Sequence, residues 1–81
     1  MYYIYILKSF SSGRFYIGQT NNLEQRLKRH NENRVKSTRN RGPWKLVYQD
    51  KFETRSEAVI RERYLKSMKS KLFIEKLIAN Q

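Results

Sequence analysis

Cysteine is absent from the 81 residues, so neither a disulfide framework nor a thiolate metal site supplements the core. His30 is the only histidine. A structural zinc, which takes a set of nitrogen and sulfur ligands, is excluded with it. Long hydrophobic runs are missing as well. The amino-terminal apolar stretch breaks at Lys8 with no basic segment ahead of it, which fits neither a secretory signal nor a membrane span. The expectation is a cytoplasmic chain with no membrane partner. Acidic residues are scarce: seven Asp/Glu stand against eighteen Lys/Arg, leaving a net charge of +11. Such a field attracts polyanions, nucleic acid first among them; an anionic membrane would call for a basic helix with a broad apolar face. At this length a single domain, residues 1–81, is expected, burying about 60–65% of the surface its unfolded chain exposes.

What is present is patterned. Tyr2–Lys8 and Arg14–Thr20 are rich in Tyr, Ile and Phe and flank the Ser/Gly turn "SFSSG", as in a β-hairpin. In "NNLEQRLKRHNEN", Asn21 is an N-cap type with Glu24 three residues on, and Leu23, Leu27 and His30 fall on one helical face. Residues 33–43 are basic, hold one apolar side chain and close with "RGP", which predicts a loop. Trp44–Phe52 reads as a third strand, with Trp44, Leu46 and Tyr48 on one parity. "TRSE" at Thr54–Glu57 is a capping box opening a helix to about Met68; Ser70 caps a last helix whose apolar face is Leu72, Phe73, Ile74, Leu77 and Ile78. The order β-β-α-β-α-α predicts an α+β fold, a three-stranded antiparallel sheet flanked by helices.

Several side chains invite a chemical reading beside a structural one. Tyr2, Tyr3, Tyr5 and Tyr16 suit strand packing, and alternation puts Tyr3 and Tyr5 on the face opposite Tyr2, Ile4 and Ile6. Gly18 marks a point of close backbone approach. Arg26 and His30 are four apart, one above the other on the helix; they could grip a phosphate together, or form a solvated basic face with a half-buried histidine. Among the acids, Glu24 and Glu57 are the capping-box residues, Asp50 and Glu53 flank the turn into the second helix, Glu32 lies in a last turn and Glu75 on an outer turn. Glu62 alone stands mid-helix. It either pairs with Lys66 at i,i+4, worth tenths of a kcal/mol, or holds a divalent cation, which would explain an acid near phosphates. Between Arg26 and Lys45, the cations Arg29, Arg34, Lys36, Arg39, Arg41 and Lys45 stand in a segment whose one acid is Glu32. Such a cluster suits phosphates rather than base edges.

Taken in order, these residues resemble the GIY-YIG nuclease family, which includes the amino-terminal nuclease domain of an excinuclease, homing endonucleases and small stand-alone bacterial proteins. The first motif stands here as Tyr3-Ile4-Tyr5 and the second as Tyr16-Ile17-Gly18. The family's helix arginine matches Arg26, its histidine His30 and its metal-binding glutamate Glu62. Tyr3 replaces the glycine of the name-giving motif, and Ile74 falls near the place where many members carry an asparagine.

The resemblance implies hydrolysis of a DNA phosphodiester with one divalent cation, Mg²⁺ with Mn²⁺ as the alternative, on branched or damaged DNA of the kind met in repair. Glu62 would hold the metal and Arg26 would neutralise charge on the phosphoryl oxygens. Tyr5 or Tyr16 would orient or deprotonate the attacking water, with His30 as hydrogen-bond partner. A nucleic-acid-binding module on the same fold, weakly active or inactive, is the alternative from a different class.

Overall fold

A computed structural model describes residues 1–80. Strands β1 (Tyr2–Ser9), β2 (Phe15–Thr20) and β3 (Trp44–Phe52) form an antiparallel sheet of order β2-β1-β3, with helices α1 (Leu23–Asn31), α2 (Arg55–Met68) and α3 (Lys71–Ala79). The predicted class and element order hold. β1 is central because both of its faces are apolar: Ile4, Tyr5, Ile6 and Leu7 are each at most 1% exposed. Ile4 and Ile6 pack with Tyr48, Ala58, Leu65 and Ile74 under α2 and α3. On the other face, Tyr5 and Leu7 pack with Trp44, Tyr16, Leu46 and the Leu23/Leu27 stripe of α1. Burial on this scale contributes about 1.5–3 kcal/mol per large side chain.

Polar side chains set the helix boundaries. Thr54 and Glu57 form the predicted reciprocal capping box of α2, and Ser70 accepts the Phe73 N–H to start α3. At α1 the cap is Asn22, not Asn21; its side chain accepts the Gln25 N–H, so Glu24 takes no part in a capping box. The two adjacent asparagines are chemically alike; the second also bonds through its backbone N–H to the Thr20 hydroxyl at the end of β2. Leu72, expected on the apolar face of α3, is 61% exposed.

The expected parity of the third strand fails. Across β1 and β3, Ile6 faces Tyr48 but Leu7 faces Leu46, so β3 carries one more residue than β1 at that step, a β-bulge. Trp44 and Leu46 therefore turn toward α1 while Tyr48 turns toward α2.

The core assignment is testable. Ile6→Val should cost about 0.5–1.5 kcal/mol, lowering Tm by roughly 4–8 °C per kcal/mol in a domain of this size. Ile60, at 68% exposure, is the matched control, and Ile60→Val should leave the melting curve in place. Two variants that melt together would contradict the described core.

Candidate active site

β1 aims the Tyr5 ring across the sheet toward α1, directly opposite Gly18 of β2. A Cβ at residue 18 would lie 2.6 Å from Tyr5 Oη and 2.7 Å from Cζ, so the missing side chain is the space the phenol occupies. Tyr5 Oη lies 2.9 Å from His30 Nε2 and accepts the Arg26 Nε–H at 3.3 Å. On its far side His30 Nδ1 lies 2.7 Å from Thr38 Oγ1, and the Thr38 hydroxyl donates to the Val35 carbonyl. That last bond assigns the tautomer. Nδ1–H donates to Thr38, and Nε2 accepts from the Tyr5 hydroxyl.

Burial sets the protonation states. Desolvation lowers the His30 pKa to about 4, with the Arg26 charge adding to the effect, so the imidazole is neutral at pH 7. Tyr5 is pushed up to about 12, again by burial first; the Arg26 hydrogen bond opposes the rise, and Tyr16 and Glu62 add to it. The Arg26 guanidinium is raised above its ordinary value, chiefly by its hydrogen bond to Tyr5 and further by Tyr16. The Tyr16 ring lies tilted against its neighbours, 4.8 Å from His30 and 6.2 Å from Tyr5, centroid to centroid. It is half-buried, whereas Tyr5 is sealed.

Tyr5, Tyr16, Arg26 and His30 are thus brought together, and Glu62 lies within electrostatic reach of Tyr5. Of the readings open for the Arg26/His30 pair, a shared grip on a phosphate does not fit: His30 is 0% exposed, and its ring nitrogens are engaged by Tyr5 and Thr38. The Glu62–Lys66 ion pair, weighed as the structural alternative, is present at 2.8 Å. It leaves Glu62 with a 19% exposed side chain.

The basic segment after α1 is pinned rather than loose. Trp44 Nε1 donates to the Thr38 carbonyl at 3.1 Å, and Asn31 bonds both the N–H and the carbonyl of Trp44. Ser9 and Ser11 hydroxyls both donate to the Arg41 carbonyl. Arg29, Lys36, Arg39, Arg41 and Lys45 stand exposed on this frame, and so does Arg34, which pairs with Glu32 at 3.3 Å. Thr38 and Asn31 were not legible as site residues; a threonine among cations and an asparagine at a helix end carry no local signal of a buried partner.

The β-β-α-β-α-α fold thus holds two tyrosines, an arginine and a histidine in one cluster, and comparison with known proteins gives the family. The profile of the GIY-YIG catalytic domain matches residues 1–76. The chain belongs to the GIY-YIG family, whose domain is a nuclease fold with DNA as its implied substrate. It is 51% identical over 69 residues to a UPF0213 protein of Clostridium perfringens, covering 84% of this chain and 73% of that one. It is 36% identical over 81 residues to a UPF0213 protein of Natronomonas pharaonis, covering 99% and 93%. The solution NMR structure of a UPF0213 protein from Bacillus halodurans superposes with a TM-score of 0.62 at 34% identity, over 100% of this chain and 86% of that one.

The buried imidazole makes stability pH-dependent. His30 takes up its proton near pH 6.5 when unfolded but only near pH 4 when folded. Between those values the unfolded state binds more protons, so stability falls as pH falls, by roughly 3 kcal/mol in all. Tm measured from pH 7 to pH 4.5 should drop more steeply for the wild type than for His30→Gln. Parallel curves would mean that His30 is not buried neutral.

Proposed function

We propose that this protein is a divalent-cation-dependent endonuclease that hydrolyses DNA phosphodiesters, directed to branched or damaged DNA. The observation that carries the reading is the Tyr5 hydroxyl held between His30 Nε2 and Arg26 Nε. It fixes a guanidinium beside a second, more accessible phenol in a strongly basic protein.

The donor set suits a hard cation of low protein coordination. Among the described residues no three His, Cys, Asp or Glu side chains gather as a metal cage. Mg²⁺ does not need one, since it keeps several waters and binds through one or two carboxylates plus substrate phosphates. Glu62 would hold it, with Lys66 yielding the carboxylate. When bound, such a cation polarises the scissile phosphate and stabilises the leaving 3′-oxygen.

The remaining roles belong to the chain itself. Tyr16 accepts a hydrogen bond from the attacking water and orients it. Tyr5 is a positioning residue: its proton is committed to His30, and its oxygen aims Arg26 at the phosphoryl oxygens where negative charge grows. The exposed Arg29, Lys36, Arg39, Arg41 and Lys45 neutralise flanking phosphates, with Arg34 joining them as its bond to Glu32 opens.

One feature favours the second reading, a binding module without robust activity. Ile74 is buried at 5% exposure in the core, where an asparagine would stand in many relatives. Glu62→Gln separates the two readings. It keeps the shape and removes the charge a hard cation needs, so metal-dependent nicking should vanish while DNA affinity, in a protein of net charge +11, holds or improves slightly. Nicking at the wild-type rate on that same preparation would take Glu62 out of the site.

The two tyrosines divide differently. Tyr16→Phe should cut nicking by ~10²-fold, the scale of a misplaced nucleophile, with Tm unchanged. Tyr5→Phe strips a partner from buried His30, costing about 1–3 kcal/mol, and so should lower Tm as well. Full nicking in Tyr16→Phe would return that side chain to a packing role.

A further inference from the structure

A groove of about 540 Å³ runs along the edge strand β2, between the hairpin turn and the α2–α3 junction. Phe15, Ile17, Leu65 and Ile74 line it with apolar surface, Arg14, Lys66, Lys69 and Lys71 line it with cations, and no acidic side chain lines it. Tyr16 lines it too, joining it to the tyrosine cluster.

The cations at its mouth are placed by the backbone. Lys69 closes α2 in the left-handed region at φ 46°, which turns the chain so that Lys69 and Lys71 flank the Ser70 cap. Lys71 reaches toward the hairpin, with Nζ 3.8 Å from where a Cβ on Gly13 would be. Among the described residues Arg14, Lys69 and Lys71 have no carboxylate partner. Uncompensated charge around an apolar, aromatic-bearing cleft suits a flat apolar ring carrying phosphates on either side. Single-stranded nucleic acid is recognised by this combination, bases on aromatic side chains and backbone on cations. A base-paired duplex keeps its bases stacked inside and offers nothing to an apolar floor.

We propose that this groove receives an unpaired nucleotide of the DNA strand adjoining the phosphate at the tyrosine cluster, so that the protein selects DNA with a single-stranded segment at the cut. The volume lies within the range of ordinary ligand sites, about 300–1,000 Å³. The inference rests on reading the tyrosine cluster as a phosphodiester site, but its test does not use cleavage.

The test is binding in EDTA, followed by anisotropy of a labelled oligothymidine and of a hairpin duplex of equal length. Lys69→Ala/Lys71→Ala changes two exposed side chains. It should weaken oligothymidine binding by ~10-fold and reduce the log–log salt slope by about 1.4, two contacts at ~0.7 each. Duplex affinity should fall by at most about twofold at 0.15 M salt, where distant charges are screened. Phe15→Leu keeps an apolar side chain beneath Lys8, which lies 5.8 Å from the ring centroid. It should weaken oligothymidine binding by ~5-fold or more, the scale of one lost stack, with the salt slope unchanged. Wild-type oligothymidine binding by the double variant, or equal losses on both DNAs, would overturn the proposal. Failure of Glu62→Gln to stop nicking would overturn the catalytic reading yet leave this binding comparison as it stands.

Discussion

Much of this structure depends on one hydrogen bond in a dry place. The Tyr5 hydroxyl meets His30 Nε2 at 2.9 Å where β1 passes beneath α1, and each partner is buried only because the other satisfies it. An unmet polar group there would cost about 1–3 kcal/mol, a large part of what a small domain has in reserve. The bond also propagates. His30 hands its other nitrogen to Thr38, Thr38 offers its carbonyl to Trp44, and Asn31 clasps the Trp44 backbone. A chain of polar contacts thus ties the central strand to the first helix, the basic segment and the start of the third strand.

Burial and charge compete at this centre, and burial wins. A guanidinium beside a phenol favours the phenolate, yet Tyr5 is pushed up to about 12. Loss of water around the ring outweighs the cation. The same desolvation, with the Arg26 charge adding to it, keeps His30 neutral. The buried pair is therefore uncharged at pH 7, and the charges around it stand nearer solvent, on Arg26, Glu62 and the basic segment.

Much of this was readable from residues alone. Alternating tyrosine and isoleucine marked the strands, "TRSE" and Ser70 marked helix starts, and the order of tyrosine motifs, Arg26, His30 and Glu62 pointed to the family. Local spacing was less reliable. The four-residue step from Arg26 to His30 suggested a shared phosphate grip, but helical periodicity cannot tell which of two neighbours on a face lies inward. Asn21 and Asn22 were indistinguishable as caps, since both carry the same side chain one residue apart. Thr38 was invisible because its burial is created by Trp44 and His30, contacts that no local spacing announces. The groove along β2 is of the same kind, assembled from a hairpin turn and a helix junction some fifty residues apart.

The bulge between Ile6 and Leu7 has a consequence for how this chain can vary. The step from Trp44 to Tyr48 is a count of residues more than a choice of them. Deleting Val47 would leave Leu46 and Tyr48 in unbroken alternation, still opposite Leu7 and Ile6, so both layers would keep their occupants. A residue added or removed in β3 away from the bulge has no such slack and would turn one side of the strand to the wrong layer. The bulge is thus a place where this strand can change length by one residue without exchanging its faces.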